Sequence, residues 1–90
     1  MADVFQLEIA TAECPVLNVP VAEAEWPAEN GYMGVLPGHA PLVAALGAGL
    51  LTYSNGASRG VVKIDGGFVE ILNDHVQMLA DRAEVLQAVA

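Results

Sequence analysis

Two histidines, one cysteine and eleven carboxylates supply most of the groups with which this chain of ninety residues could do chemistry. His39 lies in "LPGHAPL" and His75 in "NDHVQ". Acyl transfer by a triad needs a serine or cysteine nucleophile, a histidine base and an orienting acid brought together. No stretch resembles a nucleophile elbow or a thiol-protease site. His39, between Gly38 and Ala40, sits in a loop where an imidazole readily hydrogen-bonds a backbone carbonyl, so a structural or interface use is expected. His75, at a strand start, is expected on the surface.

A metal centre needs several His, Cys, Asp or Glu ligands converging. Glu23 and Glu25 share one strand face, which reads as a solvated edge. Cys14 is alone, so no intramolecular disulfide forms, and it is expected to pack as a small buried or half-buried hydrophobe. "GAG" at 47–49 lacks the lysine and further glycines of a phosphate loop. An enzyme therefore has no positive support, and no catalytic, cofactor or metal residue is expected.

The charge balance narrows the partners. Eleven carboxylates face only Arg59, Lys63 and Arg82, for a net charge of −8. That field repels nucleic acid and anionic lipid and attracts a basic protein surface. Ninety residues make one domain with a modest core, yet 54% of them are hydrophobic. Part of that apolar surface is expected to stay exposed for a partner protein. "MADVFQLEIA" has no basic leader region, so no signal peptide is visible and a cytoplasmic setting is expected. Residues 30–58 carry no charge, but their continuous apolar part, Ala40 to Leu51, is too short for a span of roughly 20 residues. Pro37 and Pro41 also interrupt any helix there, so no direct membrane insertion is expected.

The elements that must position these groups read as strands, because the apolar period is two. Phe5, Leu7 and Ile9 share a face, as do Leu17, Val19 and Val21, after which the phase shifts to Ala24 and Trp26. Such a slip predicts a β-bulge, and Pro20 predicts an edge. "PAENG" is a turn, followed by a short strand at Met33–Leu36, the "PGHAP" loop and an aliphatic strand from Leu42 to Leu46. "GAG" reads as a break, Asn55-Gly56 as a hairpin turn, Gly66-Gly67 as a tight turn and Asn73-Asp74 as another. Val62 and Ile64, then Val69 and Ile71, then Val76 and Met78 are the expected buried faces. The prediction is an all-β fold, a small antiparallel β-sandwich or flattened barrel of about eight to ten short strands. Val85, Leu86 and Val89 lie at i, i+1 and i+4, which predicts a short helical or disordered tail capped by Asp81.

Two blocks, "GYMGVLPGHAPLVAAL" (31–46) and "VKIDGGFVEILNDHVQMLADRAE" (62–84), resemble the epsilon subunit of F-type ATP synthases, called delta in mitochondria. Their order and spacing match that family's Gly-x-apolar-Gly-apolar-x-Pro-Gly-His-Ala-Pro-Leu block, its Gly-Gly-Phe strand and its valine-rich strand ending in Leu-Ala-Asp. The resemblance implies a β-sandwich over residues 1–82 and a non-catalytic rotor subunit between gamma and the c ring. It implies a ring contact at Glu29, Asn30, Gly31, Tyr32 and Met33. It also implies a loop facing gamma and the ring at Pro37, Gly38, His39, Ala40, Pro41 and Leu42. The implied location is peripheral, at the cytoplasmic face of the inner (plasma) membrane, in a machine driven by protons or another ion. Residues 83–90 would be a stub of the family's C-terminal helical hairpin, either in a naturally short chain, the favoured expectation, or in an N-terminal fragment, and the hairpin's inhibitory role is expected to be missing. The rival expectation is a ligand- or carbohydrate-binding β-sandwich with a concave pocket lined by Trp26, Tyr32 or Tyr53.

Overall fold

A computed structural model describes residues 3–89, and the strand pattern organises nearly all of them. Seven strands form: β1 (Phe5–Ala10), β2 (Pro15–Val21), β3 (Glu23–Ala28), β4 (Gly31–Val35), β5 (Leu42–Asn55), β6 (Ser58–Leu72) and β7 (His75–Val89). Their order is β2-β1-β7-β6-β5-β3-β4. Neighbours are antiparallel except β1 and β7, which run parallel, so the expected all-β, antiparallel sandwich forms with one parallel pair in it.

The strands are fewer and longer than expected because two glycine breaks are not turns. β5 has 14 residues and β6 has 15, and their ladder runs in one register from Leu42↔Ile71 to Asn55↔Ser58. Yet the buried side changes along each. In β6, Val62 and Ile64 are buried before Gly66-Gly67, and Val69 and Ile71 after. In β5, Leu46 is buried before Gly47-Ala48-Gly49, and Leu51 and Tyr53 after. These glycines face one another across the ladder, where Leu46 pairs with Gly67 and Ala48 with Asp65. β7 joins the same line, since Gly67 pairs with Ala80. Three adjacent strands thus turn one corner together and pass from one layer of the sandwich into the other. At Gly67 (φ 118°) an added Cβ would meet the Leu79 carbonyl and Ala80 Cα, so glycine is required there by both conformation and space.

The chain itself changes layer at Ala22. Its N–H donates to the Ser54 carbonyl (2.8 Å), which moves the chain from β1 to β5. The expected bulge after Val21 is therefore a corner between two strands, and β2 with Pro20 is an edge strand. Phe5, Leu7, Ile9, Trp26, Leu51, Val62, Ile64, Val69, Val76 and Met78 fill the interior between the layers. Trp26 is wholly buried, and its Nε1 meets no acceptor among the described residues.

Three further expectations are corrected. From Asp81 to Val89 the chain is strand, so the boundary expected at residue 82 falls inside β7, and of the expected 83–90 stub only Ala90 lies outside the described residues. Val62 pairs with Val85 and Val61 with Gln87, which leaves Leu86 as a bulge. That extra residue produces the spacing that mimicked a helix; a two-turn helix has little stability alone, and β6 offers a ladder instead. Cys14 is exposed, because the Thr11–Cys14 turn between β1 and β2 lies outside the core. At Asn55-Gly56 the hairpin forms one residue later, with Gly56 (φ 63°) and Ala57 as the loop between Asn55 and Ser58. A positive φ at the first loop position alone is the type II′ arrangement, whereas Asn73 and Asp74 (φ 52° and 59°) make a type I′ turn.

The corner predicts a contrast between glycines, read by urea unfolding followed by fluorescence of the single tryptophan, Trp26. Gly56→Ala, facing open space, is expected to cost about 1–2 kcal/mol for its positive φ. Gly67→Ala adds a backbone clash and is expected to cost roughly 1–3 kcal/mol more. Equal midpoints for the two variants would rule out the corner's steric demand.

Candidate functional site

The β3–β4 hairpin closes with Ala28 opposite Gly31, leaving Glu29 and Asn30 at its tip. Gly31 has φ 123°, which lets strand pairing resume directly after a turn whose two residues keep negative φ. The tip is fixed to the body twice. The Glu29 N–H donates to the Ala45 carbonyl (3.1 Å), and the Tyr32 hydroxyl accepts from the Leu50 N–H (3.0 Å). Both bonds require the hairpin to lie close over the corner of β5. An added Cβ at Gly47 would stand 2.7 Å from the Ala28 carbonyl oxygen, and one at Gly49 would collide with the Tyr32 hydroxyl. The glycines that bend β5 therefore also seat the hairpin.

The structure brings the five expected ring-contact residues together. Glu29, Asn30, Gly31, Tyr32 and Met33 line one shallow groove of about 330 Å3 with Ala28, Ala44 and Ala45. Glu29 to Tyr32 are exposed, and Met33 is half-buried against the core. Tyr32, 55% exposed, presents a ring whose hydroxyl is already engaged by the backbone.

The second expected segment is tied to a different turn. The Gly38 N–H donates to Asp74 Oδ1 (2.7 Å), and the Asp74 carbonyl accepts from the Gln6 N–H (2.9 Å). Asp74 thus joins the loop, the β6–β7 turn and the start of β1. Its turn was legible in the sequence, but the reach across to Gly38 was not, since 36 residues separate the two. His39 Nδ1 lies 2.6 Å from the Ala40 carbonyl, to which it donates, so the imidazole bonds its own loop as expected. Ala40 and Pro41 are exposed, whereas Leu42 opens β5 and packs on the core.

Chemistry elsewhere is sparse. Among the described residues no group of three or more His, Cys, Asp or Glu side chains could hold a metal ion. No described helix is long and apolar enough to cross a membrane. His75, exposed as expected, pairs with Glu8 at 3.0 Å. The three aromatics of the rival expectation do not share one pocket, although Tyr32 and Tyr53 each line a separate open groove. Trp26 is in the core, Tyr32 lies on the β5 corner, and Tyr53 borders a separate open groove of about 590 Å3 with Glu23, Glu25, Thr52 and Arg59.

A feature the sequence left unlocated is an apolar stripe beside the loop. Val43, Phe68 and Leu79 are all more than half exposed, and Phe68 pairs across to both Ala45 and Leu79. The only cations, Arg59, Lys63 and Arg82, sit on β6 and β7, in strands apart from both candidate segments.

Residues 4–86 match the family described as ATP synthase, Delta/Epsilon chain, beta-sandwich domain. The chain belongs to that family. It is 50% identical over 84 residues to the ATP synthase epsilon chain of Solibacter usitatus, covering 93% of this chain and 63% of that one. It is 36% identical to the ATP synthase epsilon chain of Bacillus subtilis over 93% of this chain and 64% of that one. The chain thus spans less than two thirds of the length of these relatives. It superposes with TM-score 0.84 and 28% identity on a chain of the Euglena gracilis mitochondrial ATP synthase, solved as OSCP/F1/c-ring, covering 96% of this chain and 55% of that one. A chain of the Tetrahymena thermophila mitochondrial ATP synthase central stalk and c ring shares the fold, with TM-score 0.75 at 12% identity, over 88% of this chain and 64% of that one.

For this family member the Asp74 link makes the loop a rigid part of the sandwich. Asp74→Ala is expected to cost about 1 kcal/mol and to speed hydrogen exchange at the Gly38 amide, whereas Asp74→Asn keeps an acceptor and changes it less. Unaltered Gly38 exchange in Asp74→Ala would show that the loop is held by other contacts.

Proposed function

We propose that this domain is a non-catalytic component of the central stalk of an F-type ATP synthase, where it joins gamma to the c ring. Rotation of the ring, driven by protons or another coupling ion, would then reach gamma through it as torque. The location that follows is peripheral, at the cytoplasmic face of the inner (plasma) membrane.

The observation that carries the reading is the β3–β4 tip. Glu29 to Tyr32 stand exposed on a turn pinned to β5 by two hydrogen bonds, one between backbones and one from the Leu50 N–H to the Tyr32 hydroxyl. A torque-bearing contact needs a surface that does not yield, and this one is fixed by one backbone–backbone bond and by the hydroxyl of a rigid aromatic side chain. Tyr32 offers a large, rigid aromatic contact, and Glu29 a carboxylate for a basic loop. Family membership and the stalk and c-ring assemblies of the structural neighbours support the same reading. The loop Pro37–Leu42, stiffened by two prolines and by Asp74, is the proposed second contact, facing gamma and the ring. The bordering stripe Val43–Phe68–Leu79 adds apolar surface of the kind that partners cover.

The test is binding of the purified chain to isolated gamma and to the isolated c ring, measured separately. A variant carrying Glu29→Lys and Tyr32→Ala is expected to lose ring affinity roughly tenfold or more, as truncating an interface anchor does, with gamma binding kept. Ring affinity unchanged by that variant would remove the hairpin tip from the contact. Absence of binding to either partner would overturn the proposal.

A further inference from the structure

Four asparagines occur in the chain, and two of them, Asn30 and Asn55, precede glycine. Asn-Gly is the pair most open to cyclisation, because a glycine N–H carries no Cβ to obstruct attack on the preceding side-chain amide. The fold treats the two differently. Asn55 is half-buried at the end of the β5–β6 ladder, where it pairs with Ser58. Its Nδ2 donates to the Pro20 carbonyl (3.1 Å), which holds the amide away from its own backbone. Asn30 is exposed at a turn tip, and its side chain makes no hydrogen bond among the described residues. The space above Gly31 is open, with nothing within 4 Å of where a Cβ would stand.

We propose that Asn30 is a site of spontaneous deamidation and isoaspartate formation, and that the fold protects Asn55 from the same reaction. The Gly31 backbone nitrogen attacks Asn30 Cγ and forms a new C–N bond. The bond from Cγ to the side-chain nitrogen breaks, and that nitrogen leaves as ammonia with the proton from Gly31. The resulting succinimide takes up one water and opens at either carbonyl, giving aspartate or isoaspartate. No oxidant or reductant is involved. Aspartate places a second carboxylate beside Glu29, and isoaspartate adds a methylene to the main chain between the paired residues Ala28 and Gly31. Either product alters the tip that would meet the ring; this consequence rests on the proposed function, whereas the chemistry does not.

The test holds the full chain at mildly alkaline pH and follows both sites by peptide mass spectrometry, with enzymatic methylation of isoaspartate as a second readout. In the folded chain Asn30 is expected to convert several-fold faster than Asn55, and in concentrated urea the two rates are expected to converge. Asn30→Gln is expected to remove most of the isoaspartate formed by the folded chain. Equal rates in the folded state, or faster conversion at Asn55, would overturn the proposal. A rate gap that persists in urea would overturn the protection of Asn55 by the fold. No readout involves a ring or stalk partner, so the modification stands or fails apart from the proposed function.

Discussion

A strand alternates its side chains between two faces, so one that crosses from one layer of a sandwich to the other must change phase to keep its apolar face inward. Here β5, β6 and β7 all make that crossing, at Gly47–Gly49, at Gly66-Gly67 and beyond Ala80, positions that lie beside one another in the ladders. The shared corner allows Leu46 and Leu51, or Ile64 and Val69, to enter one core from strands that never stop. It also sets the outer geometry. The bend at Gly47 and Gly49 creates the seat on which Ala28 and Tyr32 lie, so the β3–β4 tip owes its placement to the same backbone event as the core.

The faces were legible in the sequence because burial follows period two within each half-strand, as Phe5, Leu7 and Ile9 or Val76 and Met78 show. The connectivity at glycine was not. A glycine pair that ends a strand and one that bends it have the same composition, and only the partner strand decides between them. Gly67 faces Leu46 and Ala80, and the ladder continues on both sides, so Gly66-Gly67 is a corner. Asn73-Asp74 has no such partner beyond Leu72 and His75, so it is a turn. The tail failed for a related reason: one bulged residue, Leu86, converts strand spacing into helix-like spacing. The expected contact residues were placed by motif resemblance, and the structure adds what holds them. Neither the bond from Gly38 to Asp74 nor that from Leu50 to Tyr32 leaves a periodic trace in the sequence.

Stiffness at the two candidate segments comes from main-chain donors held by one carbonyl, that of Ala45, and by two side-chain acceptors, Asp74 Oδ1 and the Tyr32 hydroxyl. Glu29, Gly38 and Leu50 each donate a backbone N–H to a fixed acceptor on another element. Each such bond contributes a net stability only on the order of 1 kcal/mol. Their value is geometric: they tie the hairpin tip to β5 on both sides of its glycine bend and the loop to the β6–β7 turn. Ala45 and Leu50 thereby refer the hairpin tip to the corner of β5, and Asp74 refers the Pro37–Leu42 loop to the β6–β7 turn.

The charge distribution follows a matching division. Lys63 stands opposite Glu84 and Arg82 opposite Asp65 on β6 and β7, so two of the three cations have a carboxylate as their register neighbour. The remaining carboxylates are left without such cross-strand partners, apart from Glu8 with His75. Glu29 and Asp74 are among them, and they mark the two candidate segments with negative charge. An acidic tip with an aromatic neighbour, on a seat built from backbone, suits a basic and repetitive partner surface better than it suits a small ligand. A pocket gains from enclosure, whereas this tip gains from protrusion, and glycine at Gly47 and Gly49 allows the hairpin to protrude from a fixed base.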